Sequence, residues 1–352
     1  MQGISKYGAL AAKIRGMRSN LLTEEELVRL AGMNSVKDIV LYLKNHPGYS
    51  RALAALDPEA FGRESFERLL VYSAVVDNRK IYMFLDHDQR RYFRKAFIKT
   101  EIRFLKNRLR LIFNPYTAPV DLSIYRTLFI DKHCSFNFDK VLRSETPEEF
   151  IRALDGTIYE EPLRRLREIN PAPDLFEYQR CLDMFYYTYI WDSAKKYGDK
   201  YDREVLMKTN GEETDMLNLM CIYRIKAHFD VPEAEIFHYL IPAYYKLKRP
   251  QLAGLAACRD TDEFMKACKN TYYGRYIDTD APDRLEADYI SHMEKNYDRM
   301  RRNYPYSFAI VEAYSFNKRT EIEQLISITE SVRYGYPQKT ILENLHIGGS
   351  IQ

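Results

Sequence analysis

Side chains that could do chemistry are scattered along this sequence. Asp86-His87-Asp88 is the tightest group of a histidine with carboxylates, which are residue types that bind metal ions. Glu212, Glu213 and Asp215 bring together carboxylates of the kind that general acid–base catalysis uses. The first group is more typical of an exposed polar turn and the second of a solvated helix face, and neither an HExxH motif nor a GxxxxGK phosphate loop is present. We therefore predict no catalytic residue, no metal and no cofactor, while a helical metalloenzyme with ligands converging on the first group stays an alternative.

A basic stretch covers the predicted helix of residues 84–113. Between residues 88 and 110 the only acids are Asp88 and Glu101, and the positive side chains are Arg90, Arg91, Arg94, Lys95, Lys99, Arg103, Lys106, Arg108 and Arg110. They can form a solvated helix face, dock to an acidic protein or bind a phosphate backbone. The aromatic residues among them have the spacing of core residues, which does not suit a base-stacking platform. A helical nucleic-acid-binding protein that uses residues 90–110 is therefore one hypothesis for the function.

A threonine followed by an acidic residue marks three similar stretches. They are Thr100-Glu101, Thr214-Asp215 and Thr320-Glu321, each with a leucine five positions after the threonine. After Asp215 the chain is apolar on nearly every side, which predicts a helix packed inside a helical domain. Asn218 lies three residues further and shares the helix face of Asp215. Two interpretations stay open: Asp215 and Asn218 satisfy groups of their own unit, or the three acids line a shared central cavity.

The composition restricts the class of protein. With 352 residues the chain exceeds a typical single core, which predicts several domains or one repeat array. The formal net charge is +3, so no global field favours nucleic acid. Five cysteines lie far apart without a CxxC pair, which is typical of reduced core thiols. No apolar run approaches the about 20 residues of a membrane span, so we expect a soluble protein without a direct membrane span.

Helical periodicity runs through the chain, and no strand pattern of convincing length is present. Thr23 and Glu26 form a capping-box pattern within the helical residues 5–31. Further long helices are predicted at residues 64–83, 84–113, 177–198 and 284–303, with turns at Gly198-Asp199 and Asn210-Gly211 and a frayed tail at residues 346–350. The predicted fold class is therefore all-α.

Two independent markers repeat at the same interval. The threonines of the Thr-acid pairs are spaced by about 110 residues, and so are the helix starts at Ser35, Thr146 and Asp260. We therefore predict three similar helical units, the third split between the two ends of the chain, with residues 305–345 against residues 7–55. The predicted segments are residues 1–60, 61–170, 171–282 and 283–352, of which the first and last form one permuted unit.

Three groups of short motifs accompany these repeats. They are Tyr7 to Arg15 with Leu21-Leu22, then Thr214 to Leu219 with Arg224 and Tyr239-Leu240-Ile241-Pro242, then Tyr304-Pro305-Tyr306-Ser307 with Tyr314, Lys318 and Glu321-Ile322. In their order and spacing the chain resembles the C subunit of prokaryotic V/A-type ATPases, which is equivalent to the d subunit of eukaryotic vacuolar ATPases. The chain departs from that family at Gln324-Leu325-Ile326, where an Asn-Leu-Arg triplet is usual, and this affects a polar contact in the third unit.

The resemblance implies a funnel of three helical domains around a pseudo-three-fold axis. Such a subunit is expected on the cytoplasmic face of the membrane, between the central-shaft subunits of the soluble ATPase sector and the membrane rotor ring. It couples ATP hydrolysis to ion transport without catalysing either step, and it needs no nucleic acid. The repeat suggests that Glu101, Asp215, Asn218, Arg224 and Glu321 face inward at the shaft site, and family position adds Arg15.

Overall fold

The structure is a computed structural model that describes residues 2–115, 134–197, 200–229 and 231–345. Helices and turns account for the secondary structure in these ranges, so the predicted all-α class is confirmed. The α-helices in chain order are α1 (Gln2–Arg18), α2 (Glu24–Ala31), α3 (Val36–Asn45), α4 (Ser50–Leu53), α5 (Arg63–Tyr82), α6 (His87–Phe113), α7 (Phe138–Arg143), α8 (Pro147–Arg152), α9 (Glu160–Ile169), α10 (Leu175–Lys196), α11 (Lys200–His228), α12 (Glu233–Ile236), α13 (Arg249–Ala256), α14 (Thr261–Lys269), α15 (Leu285–Asn303), α16 (Ala309–Arg333) and α17 (Gln338–Asn344). Short 3₁₀ turns occupy Phe237–Tyr239 and Pro282–Arg284.

Several helices begin where their capping residues predict. The Thr23 hydroxyl accepts the Glu26 N–H at 3.2 Å, and the Glu26 carboxylate accepts the Thr23 N–H at 2.8 Å. Ser35, Thr146 and Asp260 begin α3, α8 and α14 in a similar way, each accepting the N–H three residues on. These caps satisfy backbone donors that a helix N-terminus leaves unpaired, so short local signals fix these helix starts.

The turn predicted at Asn210-Gly211 is wrong, because both residues lie inside α11, which continues without a break. A β-carbon built on Gly211 would lie 2.5 Å from Cγ of Tyr245, so glycine lets that ring pack directly on the helix backbone. Asn210 is also buried, and its side-chain amide donates to the Tyr92 hydroxyl at 2.8 Å. The Asn-Gly pair therefore serves tertiary packing. The predicted turn at Gly198-Asp199 and the predicted tail at residues 346–350 lie outside the described residues.

The chain forms two compact units within the part that the structure describes. The central unit consists of residues 86–275, and the split unit combines residues 1–85 with residues 276–352. In the central unit α10 packs against both α6 and α11, while α7 and α8 pack beside α6. In the split unit α16 packs against α15, α5, α1 and α2. None of the described helices combines the length and apolar character that crossing a membrane requires.

The core of the split unit draws on both ends of the chain. Apolar side chains of α2 and α3, including Leu30 and Leu43, share one cluster with Leu325 and Ile328 of α16 and with Ile341 of α17. These side chains are essentially removed from solvent. Burial of an apolar side chain of this size contributes about 1.5–3 kcal/mol, so the two ends stabilise each other. The division of the chain into repeat segments stays a prediction.

Candidate functional site

Asp215, the acid of the second Thr-acid pair, is fully buried on α11. Its carboxylate accepts the backbone N–H groups of Tyr245, Lys246 and Leu247 at 3.2, 2.6 and 2.9 Å. The hydroxyl of Tyr273, which follows α14, donates to the same carboxylate at 3.0 Å. A buried carboxylate requires such donors because it has lost its water. Asp215 therefore joins the loop of residues 245–247 and the chain after α14 to the long helix α11.

Asn218 holds the chain just before those residues, at the beginning of the loop of residues 241–247. Its side-chain nitrogen donates to the Ile241 carbonyl at 3.0 Å, and its side-chain oxygen accepts the Ile241 N–H at 2.8 Å. Both polar backbone groups of Ile241 are thus satisfied without regular secondary structure. Asp215 and Asn218 therefore bind backbone groups of their own unit, which are the contacts of the first interpretation of this pattern.

Glu101, the acid of the first pair, is fully buried on α6. The Ser135 N–H donates to one carboxylate oxygen at 2.9 Å, and the Tyr159 hydroxyl donates to the other at 2.5 Å. Tyr159 follows Glu101 by 58 residues, and Tyr273 follows Asp215 by the same number. The two acids of the central unit are therefore held by tyrosines at equivalent positions.

Glu321, the acid of the third pair, lies on α16 in the split unit. The Tyr49 hydroxyl donates to its Oε1 at 2.5 Å, and the Leu22 N–H donates to its Oε2. The Lys318 ammonium lies 2.8 Å from the same Oε1 and 3.7 Å from the centroid of the Tyr49 ring. Lys318 is only 2% exposed, so a buried cation is paired with a buried carboxylate. We call Glu101–Tyr159, Asp215–Tyr273 and Glu321–Tyr49 the acid–tyrosine centres.

Burial changes the ionisation of these centres. Loss of water raises the pKa of Glu101 and of Asp215, although the hydrogen bonds that their carboxylates accept oppose the change. Burial, followed by the charge of the adjacent acid, raises the pKa of Tyr159, Tyr273 and Tyr49. These tyrosines therefore keep their protons at neutral pH and act as hydrogen-bond donors.

The two arginines of the predicted shaft site differ from its acids. Arg15 on α1 and Arg224 on α11 are exposed, whereas Glu101, Asp215, Asn218 and Glu321 are buried. Asp215 and Asn218 bind backbone groups of the same loop, whereas Glu101 and Glu321 bind backbone groups of other segments. Contact between these six residues and a partner stays a prediction. For the buried ones, such a contact would act through the loops that they position.

The tyrosines of the centres are the residues that sequence reasoning missed. Tyr49, Tyr159 and Tyr273 each follow one of the short capped helices, so they recur at the same interval as the helix starts. That recurrence was the available signal. The sequence contains no comparable signal for the hydrogen bond from the Tyr314 hydroxyl to Asp77, 2.5 Å long and buried in the split unit.

Part of the basic helix α6 serves internal contacts. The Lys95 ammonium lies 2.7 Å from the Tyr92 hydroxyl, and Lys106 pairs with Asp183 at 2.6 Å. The Arg108 guanidinium donates to the Ser144 carbonyl, at 3.0 Å from Nε. Other basic side chains of the helix, namely Arg90, Arg91, Arg94, Arg103 and Arg110, are exposed. The helix therefore divides its positive charge between the packing of its own unit and the surface.

The histidine–carboxylate group forms a helix start. The Asp86 carboxylate accepts the Gln89 N–H at 2.8 Å, and the Gln89 side chain accepts the Asp86 N–H at 2.9 Å. His87 and Asp88 are exposed in the first turn of α6. In the described ranges, no group of three or more His, Cys, Asp and Glu side chains is placed to hold a metal ion.

Comparison with known proteins identifies the family. The family described as ATP synthase (C/AC39) subunit matches residues 10–344. The chain belongs to this family. The match extends over both compact units, and it confirms the resemblance to the C subunit of V/A-type ATPases that the sequence motifs indicated.

Relatives in the ATP synthase (C/AC39) subunit family match along most of the chain. The C subunit of the A-type ATP synthase of Pyrococcus horikoshii is 26% identical over 338 residues, covering 93% of this chain and 86% of the relative. The protein of the same name from Methanosphaera stadtmanae is 22% identical over 338 residues, covering 92% and 83%. That of Thermococcus kodakarensis is 24% identical over 345 residues, covering 96% and 89%.

Proposed function

We propose that this chain is a non-catalytic central-stalk subunit of a V/A-type rotary ATPase. It connects the rotating shaft of the soluble ATPase sector to the membrane rotor ring, so that ATP hydrolysis and ion transport are coupled. The observation that carries the proposal is the family match over residues 10–344. The relatives that match most of this chain are named as C subunits of A-type ATP synthases. In this role the chain is a peripheral subunit on the cytoplasmic face of the membrane.

We further propose that the chain consists of three related helical units around a pseudo-three-fold axis, with the outline of a funnel. The acid–tyrosine centres support this architecture. The two centres of the central unit have the same separation of 58 residues between acid and tyrosine. The third joins Glu321 near one end of the chain to Tyr49 near the other, as expected for a permuted copy of the same unit.

A protein that transmits torque must resist deformation, and the centres supply a physical reason for stiffness. Each ties a loop and a tyrosine from a short-helix region to a buried acid on a long helix. Buried polar contacts in a low-dielectric interior are strong, and they are costly to leave unmade. Repeated helical units add contacts between neighbouring repeats. Load applied to the loops would therefore pass to the long helices.

The exposed arginines are the members of the predicted site that could contact the shaft directly. We propose that Arg15 and Arg224 do so, and that Asp215 and Asn218 act indirectly by fixing the loop of residues 241–247. This assignment separates two kinds of variant. Charge reversal at an exposed arginine should weaken partner binding more than it lowers stability, whereas removal of Asp215 should reduce both.

Co-purification with the shaft subunits of the same organism tests the proposed role. The wild-type chain should be retained by a tagged shaft, and Arg15→Glu and Arg224→Glu should each weaken retention by about tenfold, as loss of a charged contact predicts. Arg51→Glu is the matched control, because Arg51 is an exposed arginine outside the predicted site. Failure to bind the shaft or the ring, with tight and salt-sensitive binding of RNA or DNA, would instead favour the nucleic-acid hypothesis for the basic helix.

A further inference from the structure

An open cleft of about 790 Å³ lies within the split unit. It is bordered by the end of α1, the C-terminal half of α15 and one turn of α16. Its charged lining consists of Arg18, Lys295, Arg299 and Arg302 together with Glu294 and Asp298. Its volume falls in the range of about 300–1,000 Å³ that is typical of sites for small molecules. The proposed coupling function makes no use of this cleft.

Positive charge exceeds negative charge in the cleft. Asp298 lies 3.7 Å from an Arg18 nitrogen, 3.1 Å from an Arg301 nitrogen and 3.2 Å from an Arg302 nitrogen. One carboxylate therefore faces three guanidinium groups, of which those of Arg18 and Arg302 line the cleft. Arg299 and Lys295 form no ion pair among the residues that the structure describes. The cleft is thus suited to an anion with more than one negative charge.

Arg18 provides an independent observation. Its Nε–H is buried and has no hydrogen-bond partner within the described part of the chain. Partial burial, and after it the nearby charge of Arg301, lowers the pKa of Arg18, while the charge of Asp298 opposes this change. The Arg18 side chain as a whole is 29% exposed and lines the cleft, so an anion there would place negative charge beside its guanidinium group.

We propose that this cleft binds a phosphate-bearing anion with at least two adjacent phosphoryl groups. Planar guanidinium groups match phosphate oxygens with paired hydrogen bonds, and the amides of Asn303 and Asn317 at the wall can donate to further oxygens. The described residues that line the cleft include no aromatic ring on which a nucleobase could stack. Recognition is therefore of the phosphate chain, whether it is free or part of a nucleotide.

Titration calorimetry of the full chain at low salt, with inorganic pyrophosphate and with ADP as separate probes, tests this inference. Saturable binding of one pyrophosphate per chain is expected, with ADP binding about equally well. If ADP binds much more tightly than pyrophosphate, the result would still support an anion site in the cleft, but it would identify the anion as part of a nucleotide. Arg18→Gln and Arg299→Gln should each weaken pyrophosphate binding by about tenfold, the loss of one charge-assisted contact.

Arg51→Gln in the same unit is the matched control and should bind like the wild type. Melting curves of the variants without ligand establish that each is folded, since Arg299 is exposed and its substitution should leave stability unchanged. Absence of saturable binding by either probe would overturn the proposal. Equal weakening by Arg51→Gln would also overturn it, because binding would then follow overall charge. Neither result bears on the coupling role, which rests on the family match.

Discussion

At the scale of single residues, the number of donors around a buried carboxylate decides how much its tyrosine contributes. Asp215 accepts three backbone N–H groups besides the Tyr273 hydroxyl. Glu101 is held by Ser135 and the Tyr159 hydroxyl, so a larger share of its hydrogen bonding comes from the tyrosine. The two centres resemble each other in geometry but differ in this respect.

We therefore expect Tyr159→Phe to destabilise the chain more than Tyr273→Phe. Hydrogen bonds to charged groups contribute about 1.5–3 kcal/mol, so the loss at Glu101 should lie near the upper end and that at Asp215 near the lower end. Urea unfolding of both variants measures the difference. Tyr336→Phe, at a tyrosine that is 54% exposed, is the control and should be close to neutral. The reverse order of the two losses would contradict this account of the centres.

The pH dependence of Glu101 provides a second test. Its folded-state pKa is raised by burial, so the folded chain binds this proton more tightly than the unfolded chain does. The contribution of Glu101 to stability is therefore largest below the ordinary glutamate pKa of about 4.3, and it falls as pH rises through the folded-state pKa. The stability of the wild type relative to Glu101→Gln should accordingly fall from pH 4 toward neutral pH.

Glu161→Gln is a control for which the stability difference from the wild type should change with pH in the opposite direction. The pKa of Glu161 is lowered, chiefly by its hydrogen bond with Arg164, so its favourable contribution is present above the ordinary glutamate pKa and is lost on acidification. The cost of Glu161→Gln should therefore grow as pH rises. The free energy of unfolding of both variants and the wild type is measured at several pH values between 4 and 7. If the two stability differences change with pH in the same direction, the result is inconsistent with the buried state of Glu101.

At the scale of helices, helix propensity and side-chain packing predict opposite effects of an alanine at position 211. Alanine is favoured over glycine inside a helix by about 1 kcal/mol. At position 211, however, a β-carbon would lie 2.5 Å from Cγ and 2.6 Å from Cβ of Tyr245, close to the point where that ring is attached. Gly211→Ala should therefore destabilise the chain by about 1–3 kcal/mol, as overpacking does.

Gly254→Ala in α13 is the matched control for Gly211→Ala. Apart from the backbone of its own helix and its chain neighbours, no described atom lies within 4 Å of a β-carbon built on Gly254, so only helix propensity applies there. This variant should raise the free energy of unfolding by about 0.5–1 kcal/mol. Thermal melts of the two variants measure both effects, and a stabilising Gly211→Ala would show that the Tyr245 ring moves aside freely.

These contacts also explain how far the sequence alone could predict the helices and the site. The starts of α2, α3, α8 and α14 were predictable because a capping side chain acts within three residues. The Asn210-Gly211 pair was misinterpreted because its partners, Tyr92 and Tyr245, come from distant parts of the chain. The Thr-acid pattern located the buried acids, but their tyrosines required long-range pairing that no local signal specifies.

At the scale of the whole molecule, the proposed role requires a chain that transmits force and performs no chemistry. The family match covers residues 10–344, and buried acids join loops to long helices in both compact units. If the chain connects shaft and ring, its loss should affect the coupling of ATP hydrolysis to ion transport more than hydrolysis itself. Hydrolysis and transport can be measured separately on the same membranes.

The most direct measurement is therefore ATP-driven ion transport in membrane vesicles that contain the ATPase but lack this chain. We predict that transport falls to background while the soluble sector still hydrolyses ATP, and that the purified chain restores transport. A chain carrying Arg15→Glu and Arg224→Glu should restore less than the Arg51→Glu control. Undiminished ATP-driven transport in the vesicles without the chain would contradict the coupling role.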